Sequence, residues 1–216
     1  MPHEKGRHET RCAMTDFGGS KTPKNERDYW QTPIEIFNAL DREFGFWLDA
    51  AASESNALCA HYLTELDDSL NSEWTSCGSI WCNPPYSDIG PWVEKAAEQS
   101  RAQSQAVVML LPADISTGWF ISAMQSADEL RLITGGRVQF VPASVTGKRQ
   151  SNPKGSLLFI WRPYITPRHI ITSISLAELK RIGNWRLHDA RRKRKRSPRP
   201  GSSLRRRDNQ SDERKA

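Results

Sequence analysis

The sequence predicts an α/β fold, a mainly parallel sheet with helices on both faces. Three observations predict it. Apolar runs of strand length recur along the chain and alternate with stretches at helical spacing. The clearest run, Ala-Val-Val-Met-Leu-Leu at 106–111, has no polar alternation, as a strand buried on both faces requires. Three runs stop at Asp49, Asn83 and Pro112, and sheets of this kind bind ligands at the carboxyl ends of their strands.

The elements follow in order. Thr32-Pro33 reads as a helix start, a capping hydroxyl with Pro at the first helical position. Ile34, Phe37, Leu40 and Phe44 then recur at helical spacing, and Gly45 suits the end of that helix. Strands are expected at 46–48, 79–82, 106–111, 130–134 and 157–162, with a weak one at 61–64. Helices are expected at 91–103, 118–126 and, after Pro167, 176–182. Residues 1–27 are polar, hold Gly18, Gly19 and Pro23, and read as a flexible leader. The domain is expected over 28–182, with a basic, disordered tail over 183–216.

Charge separates the tail from the body. Residues 191–216 hold 12 Lys/Arg and 3 Asp/Glu, so the chain's net +6 leaves the rest at about −3. A basic arm on a mildly acidic body suits a nucleic acid, whose phosphates release counterions when neutralised, although a tail kept for solubility has the same composition. Cys12, Cys59, Cys77 and Cys82 form no C-x-x-C pair and have no His at ligand spacing. No metal site and no disulfide framework is expected, and a reduced, cytoplasmic setting is the simplest account. No apolar run is long enough for a membrane span, and no signal peptide is evident.

The sharpest feature is Asn83-Pro84-Pro85-Tyr86, directly after an apolar strand. The two prolines fix φ and offer no N–H, which leaves the Pro84 carbonyl as a rigid acceptor. The Asn83 side-chain oxygen is a second. Two adjacent acceptors suit a planar amine with two N–H bonds, and Tyr86 adds a face on which a base can stack. A plain Pro-rich turn is the alternative, but its place after a strand in an alternating chain favours chemistry.

The N-P-P-Y loop resembles the catalytic motif of amino-methyltransferases. Around it lie D-Y-W-Q-T-P at 28–33, L-D-A-A-A at 48–52, D-D-S-L at 67–70 with Trp74 beyond, V-V-M-L-L-P-A at 107–113 and G-R-V-Q-F at 136–140. In this order and spacing, the run 28–163 is similar to the phage and prophage family of DNA N6-adenine (Dam-like) methyltransferases. The resemblance covers nearly two thirds of the chain. It implies a Rossmann-like class I fold with S-adenosylmethionine across the first strands. It also implies double-stranded DNA as the partner, with the target adenine flipped out of the stack. Asn83, Pro84, Pro85 and Tyr86 would orient the amine by preorganised hydrogen bonds, without a strong base.

For the cofactor, Asp49 and Ala50 stand where the first strand ends, and a capping Asp followed by alanines is the structural alternative. Thr32 and Pro33 resemble the segment that contacts the cofactor in related enzymes. Asp68 is the candidate for its adenosine, with Asp67 and Glu65 as rivals. The Gly-x-Gly usual after the first strand of methyltransferases is absent, and the phage family resembles this sequence in that respect. Trp30 and Trp74 would wall the pocket or fill the core. For DNA, the segment 136–155 offers Arg137, Lys148, Arg149 and Lys154 among Gln139, Gln150 and Asn152, side chains able to read base edges. Phe140 would stack on the flipped base or pack in the core. An RNA base or a protein glutamine as acceptor, or an inactive DNA-binding relative, remain the rivals.

Overall fold

A computed structural model describes residues 28, 30–141, 150–151, 154–164 and 166–184. The expected leader and the expected basic tail beyond 184, with Lys148, Arg149 and Asn152, lie outside these residues, while 183 and 184 continue the last helix. Helix α1 (Ile34–Phe44) leads into β1 (Phe46–Asp49), β2 (His61–Tyr62), a 3-10 turn (Glu65–Asp67) and β3 (Ser79–Cys82). Helix α2 (Gly90–Ala102), β4 (Val107–Pro112), α3 (Gly118–Ser126) and β5 (Glu129–Thr134) follow. A small hairpin of β6 (Gln139–Phe140) and β7 (Gln150–Ser151) precedes β8 (Ser156–Trp161), β9 (Ile170–Ser175) and a helix α4 at 176–184.

Seven strands form one sheet in the order β2-β1-β3-β4-β8-β5-β9. All run parallel except β8, which pairs antiparallel with both β4 and β5. Strand pleating sends alternate side chains to opposite faces. Ile80, Cys82, Val107, Met109, Leu111, Leu157 and Phe159 face α2 and α3. Trp81, Val108, Leu110, Leu158 and Ile160 face α1 and α4 through Ile36, Leu40, Leu176 and Leu179. Each such side chain stabilises the fold by roughly 1.5–3 kcal/mol on burial. The two cores hold the central strands β3 and β4 rigid, and the candidate loop stands on the end of β3.

Several expectations change in detail. Thr32 does not cap α1. The N-cap is Pro33 (φ −59°, ψ 133°), without a side-chain cap bond, and the helix starts at Ile34. The Pro33 carbonyl accepts from the Ile36 and Phe37 N–H groups (2.9 and 3.2 Å), so the proline's fixed φ places the chain at the helix mouth. Gly45 does end the helix, in the left-handed region (φ 66°) with its N–H on the Asp41 carbonyl. Strand β9 is not among the expected strands. Its Ile-Ile-Thr-Ser-Ile-Ser lies largely exposed at the sheet edge, and pairing with β5 rather than burial makes it a strand.

Strand β5 is tied to its neighbours by ion pairs. Glu129, buried at 5% exposure, accepts from Arg131 (2.8 Å), Arg162 (2.9 Å) and Thr172 (2.7 Å), and Arg131 also pairs with Glu43. These partners outweigh burial and hold its carboxyl down at about 2.

Candidate active site

The chain passes from β1 to the outer strand β2, then returns to the other side of β1 as β3. Loops leaving β1 and β3 therefore diverge, and a crevice opens between them at the carboxyl edge of the sheet. A cavity of about 730 Å³ occupies that position, within the ~300–1,000 Å³ range of small-molecule sites. Ala50, Ala51 and Ala52 line it from β1, Leu63, Glu65 and Asp68 from β2, and Asn83 and Pro85 from β3, with Trp92 of α2 closing one side.

Asp49 builds this cavity from below. It is buried (3% exposed) and is not among the cavity-lining residues. Its carboxylate accepts the Leu58 N–H (3.1 Å) and the Ala51 N–H (3.4 Å), which folds the loop after β1 back on itself. Burial pushes its carboxyl up to about 6, against the pull of these two bonds. Nearby, the Cys59 thiol is pushed up to about 12 by burial and the neighbouring Asp49 charge, and Cys82 is raised by the same two causes. Ala50, with no bulk and no exposure, lets its backbone form the floor, where its carbonyl accepts the Ser69 hydroxyl (2.6 Å).

The segment after β2 is braced into the cavity wall. The Ser69 carbonyl accepts the indole N–H of fully buried Trp74 (2.8 Å), whose own backbone N–H donates to Gln99 of α2 (2.8 Å). Trp74 is therefore core, not pocket wall. Among the three acidic rivals, Asp67 is consumed locally. It accepts the Thr64 N–H and hydroxyl (2.7 Å each), which holds its carboxyl below the usual range, and it does not line the cavity. Glu65 and Asp68 do line it. Asp68 sits in the left-handed region (φ 48°), which Asp tolerates better than most residues, and accepts from Asn71 (2.8 Å).

The Asn83-Pro84-Pro85-Tyr86 loop leaves β3 between this cavity and a second, narrow hollow lined by Asp28, Trp30, Asn83, Pro84, Tyr86 and Phe140. The Asn83 amide nitrogen donates to the Trp30 carbonyl (3.0 Å), and its oxygen accepts the Tyr86 hydroxyl (3.2 Å). These bonds fix which way the amide faces. The same hydroxyl lies 3.2 Å from the Leu110 carbonyl, and burial pushes the phenol well above the ordinary tyrosine range, so it stays a donor. Tyr86 meets Phe140 edge-on (6.2 Å, 85°), and Trp30 stacks on Phe140 (6.1 Å, 30°). Phe140 is 1% exposed, so its faces are already covered by protein.

Thr32 and Pro33 line neither hollow, and the Thr32 hydroxyl is buried without a partner among the described residues. Of the 136–155 segment, Arg137 is exposed, β6 and β7 pair as a hairpin, and Lys154 is tied to Asp114 in the loop after β4. Sequence reasoning missed Asp28 and Trp92 as lining residues. Asp28 reaches the site through a contact 59 residues distant, accepting the Ser87 N–H (3.1 Å), and no local pattern signals that. Among the described residues the charged side chains lining the larger cavity are Asp28, Glu54, Glu65 and Asp68, with no Lys, Arg or His. Among the described residues no His, Cys, Asp and Glu group of metal-binding size occurs, and no helix is long and apolar enough to cross a membrane.

A family model described as DNA N-6-adenine-methyltransferase (Dam) matches residues 19–186. A DNA N-6-adenine-methyltransferase of Escherichia phage T1 is 37% identical over 161 residues, covering 68% of this chain and 67% of the phage protein. A DNA N-6-adenine-methyltransferase of Haemophilus phage HP1 (strain HP1c1) is 33% identical over 167 residues, covering 76% and 96% of the two chains.

Proposed function

The chain belongs to the DNA N-6-adenine-methyltransferase (Dam) family, and we propose that it transfers a methyl group from S-adenosylmethionine to the exocyclic amine of an adenine flipped out of duplex DNA. The observation that carries this is the pair of hollows meeting at Asn83. The larger takes the cofactor, and the aromatic one takes the base.

The residues present fit the cofactor. Small side chains at 50–52 admit close backbone approach, Leu63 and Trp92 offer apolar surface, and the lining carries only acidic charge among the described residues. That balance favours a ligand bearing sulfonium and ammonium groups. When bound, S-adenosylmethionine supplies an electrophilic methyl group. Asp68 or Glu65 would accept from the ribose or the ammonium. Asp49 acts indirectly by shaping the loop, and Thr32 and Pro33 set the entry to α1.

Asn83 and Pro84 would hold the amine. With its nitrogen committed to Trp30, the Asn83 amide turns its oxygen toward the Tyr86 hydroxyl, and a lone pair is left for one N–H of the amine. The Pro84 carbonyl would accept the other N–H. Both bonds draw nitrogen electron density out of the ring conjugation, so the lone pair points toward the methyl group. Catalysis is then orientation and fixed dipoles rather than a strong base. Pro85 stiffens the loop, and the Tyr86 ring would stack on the base after moving from its edge contact with Phe140. The narrow hollow must widen for this, since its free volume of about 10 Å³ suits a water and not a purine.

The catalytic domain spans 28–182, with the basic residues of 183–216 as a phosphate-binding arm and the 136–155 segment as the reader of sequence. Free Cys59, Cys77 and Cys82 suit the reducing cytoplasm of a bacterium or phage-infected cell. Labelled-methyl transfer from S-adenosylmethionine to duplex DNA, RNA and a glutamine-bearing protein tests the assignment. Label in the adenine of DNA alone is expected. Label in RNA or protein alone would reject DNA as the substrate.

A further inference from the structure

Among the described residues lining the two hollows, Asn83 and Asp28 alone line both. Asn83 has a role in the chemistry above. Asp28 lies outside the strand-end loops, 55 positions earlier in the chain, and reaches the junction by accepting the Ser87 N–H just beyond the catalytic loop. That bond uses one carboxylate oxygen, and no other bond to its side chain is made among the described residues. Among the described residues no cation lines either hollow to neutralise it.

We infer that Asp28 is the charge partner of the sulfonium centre, holding a positively charged reactant at the junction where it faces the amine. The inference rests on the assignment of the larger hollow to S-adenosylmethionine. Methyl transfer breaks one S–C bond, whose electron pair stays on sulfur, and forms one N–C bond from the amine lone pair. Unit positive charge thereby passes from sulfur to nitrogen, and one N–H proton then leaves to water. A carboxylate on the cofactor side alone would favour the reactant and resist that passage. Asp28 borders both hollows, so it stays near the charge before and after it moves. It also gives a means of product release, because the thioether product is neutral at sulfur and loses its attraction to Asp28. Glu54, Glu65 and Asp68 line only the larger hollow and are left for the polar ends of the cofactor.

The test compares two ligands that differ by one methyl group and one charge. Affinities of the full chain for S-adenosylmethionine and for S-adenosylhomocysteine are measured by calorimetry, in the natural protein and in Asp28→Asn. Asparagine keeps an oxygen for the Ser87 N–H and removes the charge. The charged ligand is expected to weaken roughly tenfold, as for a close ion pair in a partly solvated site, while the neutral one stays within about twofold. Equal weakening of both ligands would assign Asp28 to bracing the loop and overturn the inference, and so would no change in either. If the natural protein binds neither ligand, the assignment of the larger hollow falls first and the inference with it. Asp28→Ala, which loses the Ser87 bond as well, separates bracing from charge. It should add a similar loss for both ligands on top of the selective loss seen in Asp28→Asn. A thermal melt within a few degrees of the natural protein confirms that each variant is folded.

Discussion

Tyr86→Phe removes one oxygen from the centre of the site and leaves the ring. The hydroxyl lies 3.2 Å from both the Asn83 side-chain oxygen and the Leu110 carbonyl, and its single proton serves one acceptor at a time. Both distances are long for an O–H···O bond, so the net loss of stability should be about 1 kcal/mol or less. For a domain of this size that is a fall in Tm of about 2–4 °C. Asn83 keeps its bond to the Trp30 carbonyl, so its amide stays roughly oriented. kcat should therefore fall by no more than about tenfold, equivalent to about 1.4 kcal/mol. Tyr86→Ala removes the ring too. Loss of base stacking, about 1–3 kcal/mol, should raise the KM for DNA by roughly 5-fold to 150-fold. Loss of the edge contact with Phe140 adds about 0.5–1.5 kcal/mol to the fall in stability. Steady-state transfer of labelled methyl to duplex DNA, with cofactor affinity by calorimetry, reads all of these. Cofactor affinity should be unchanged in both variants. If Tyr86→Phe is as inactive as Tyr86→Ala, the hydroxyl takes part in the chemistry and the stacking role is wrong. An unchanged KM for DNA in Tyr86→Ala would equally reject stacking.

Other perturbations probe the frame around the site. Asp49 has a folded pKa raised from 3.8 to about 6, so its burial favours the native state below about pH 4 and that contribution, about 3 kcal/mol, is lost as pH rises through 6. Denaturant unfolding across this window should show a fall in stability that Asp49→Asn flattens, and parallel curves for the two proteins would contradict the assignment. Glu129 is the opposite case, with its pKa lowered from 4.5 to about 2, so its contribution is present above pH 4.5 and lost as pH falls through 2. Glu129→Gln should cost about 3 kcal/mol at neutral pH, since it leaves Arg131 and Arg162 short of an anion. Its kcat should match that of the natural chain under folded conditions. Removing residues 191–216, with their 12 basic side chains, should weaken DNA binding at low salt and flatten its salt dependence, by about 0.9 in slope for each phosphate that the tail neutralises. An unchanged slope would dismiss the tail as a DNA arm.

What the sequence discloses depends on whether the signal is local. The β3 and β4 runs are legible because strands buried on both faces are apolar almost throughout, with Ser79 their one polar residue, and the Asn83 loop is legible because Asn and two prolines directly follow one of them. The direction of β8 is not legible, since an antiparallel strand buried between β4 and β5 has the same uninterrupted apolar run as a parallel one. Strand β9 lacks the run altogether, because it is exposed at the edge. The acidic stretch 65–68 shows the limit at single-residue scale. Backbone turning commits Asp67 to Thr64 and turns Asp68 to the cavity, and composition cannot separate neighbours of the same type. Asp49 is found at its expected strand end, but its carboxylate serves the backbone of 51 and 58 instead of lining the cavity. Asp28 and Ser87 meet only because α1, β1 and β3 bring distant segments together.

The most direct test of the central claim is to express the chain, and its Asn83→Ala variant, in cells that lack adenine methylation and to map modified bases by single-molecule sequencing. The account predicts N6-methyladenine in one defined sequence context with the natural chain and none with Asn83→Ala, with both proteins folded and both binding cofactor. Genomic DNA without methyladenine, or a methylation pattern that survives Asn83→Ala, would contradict it.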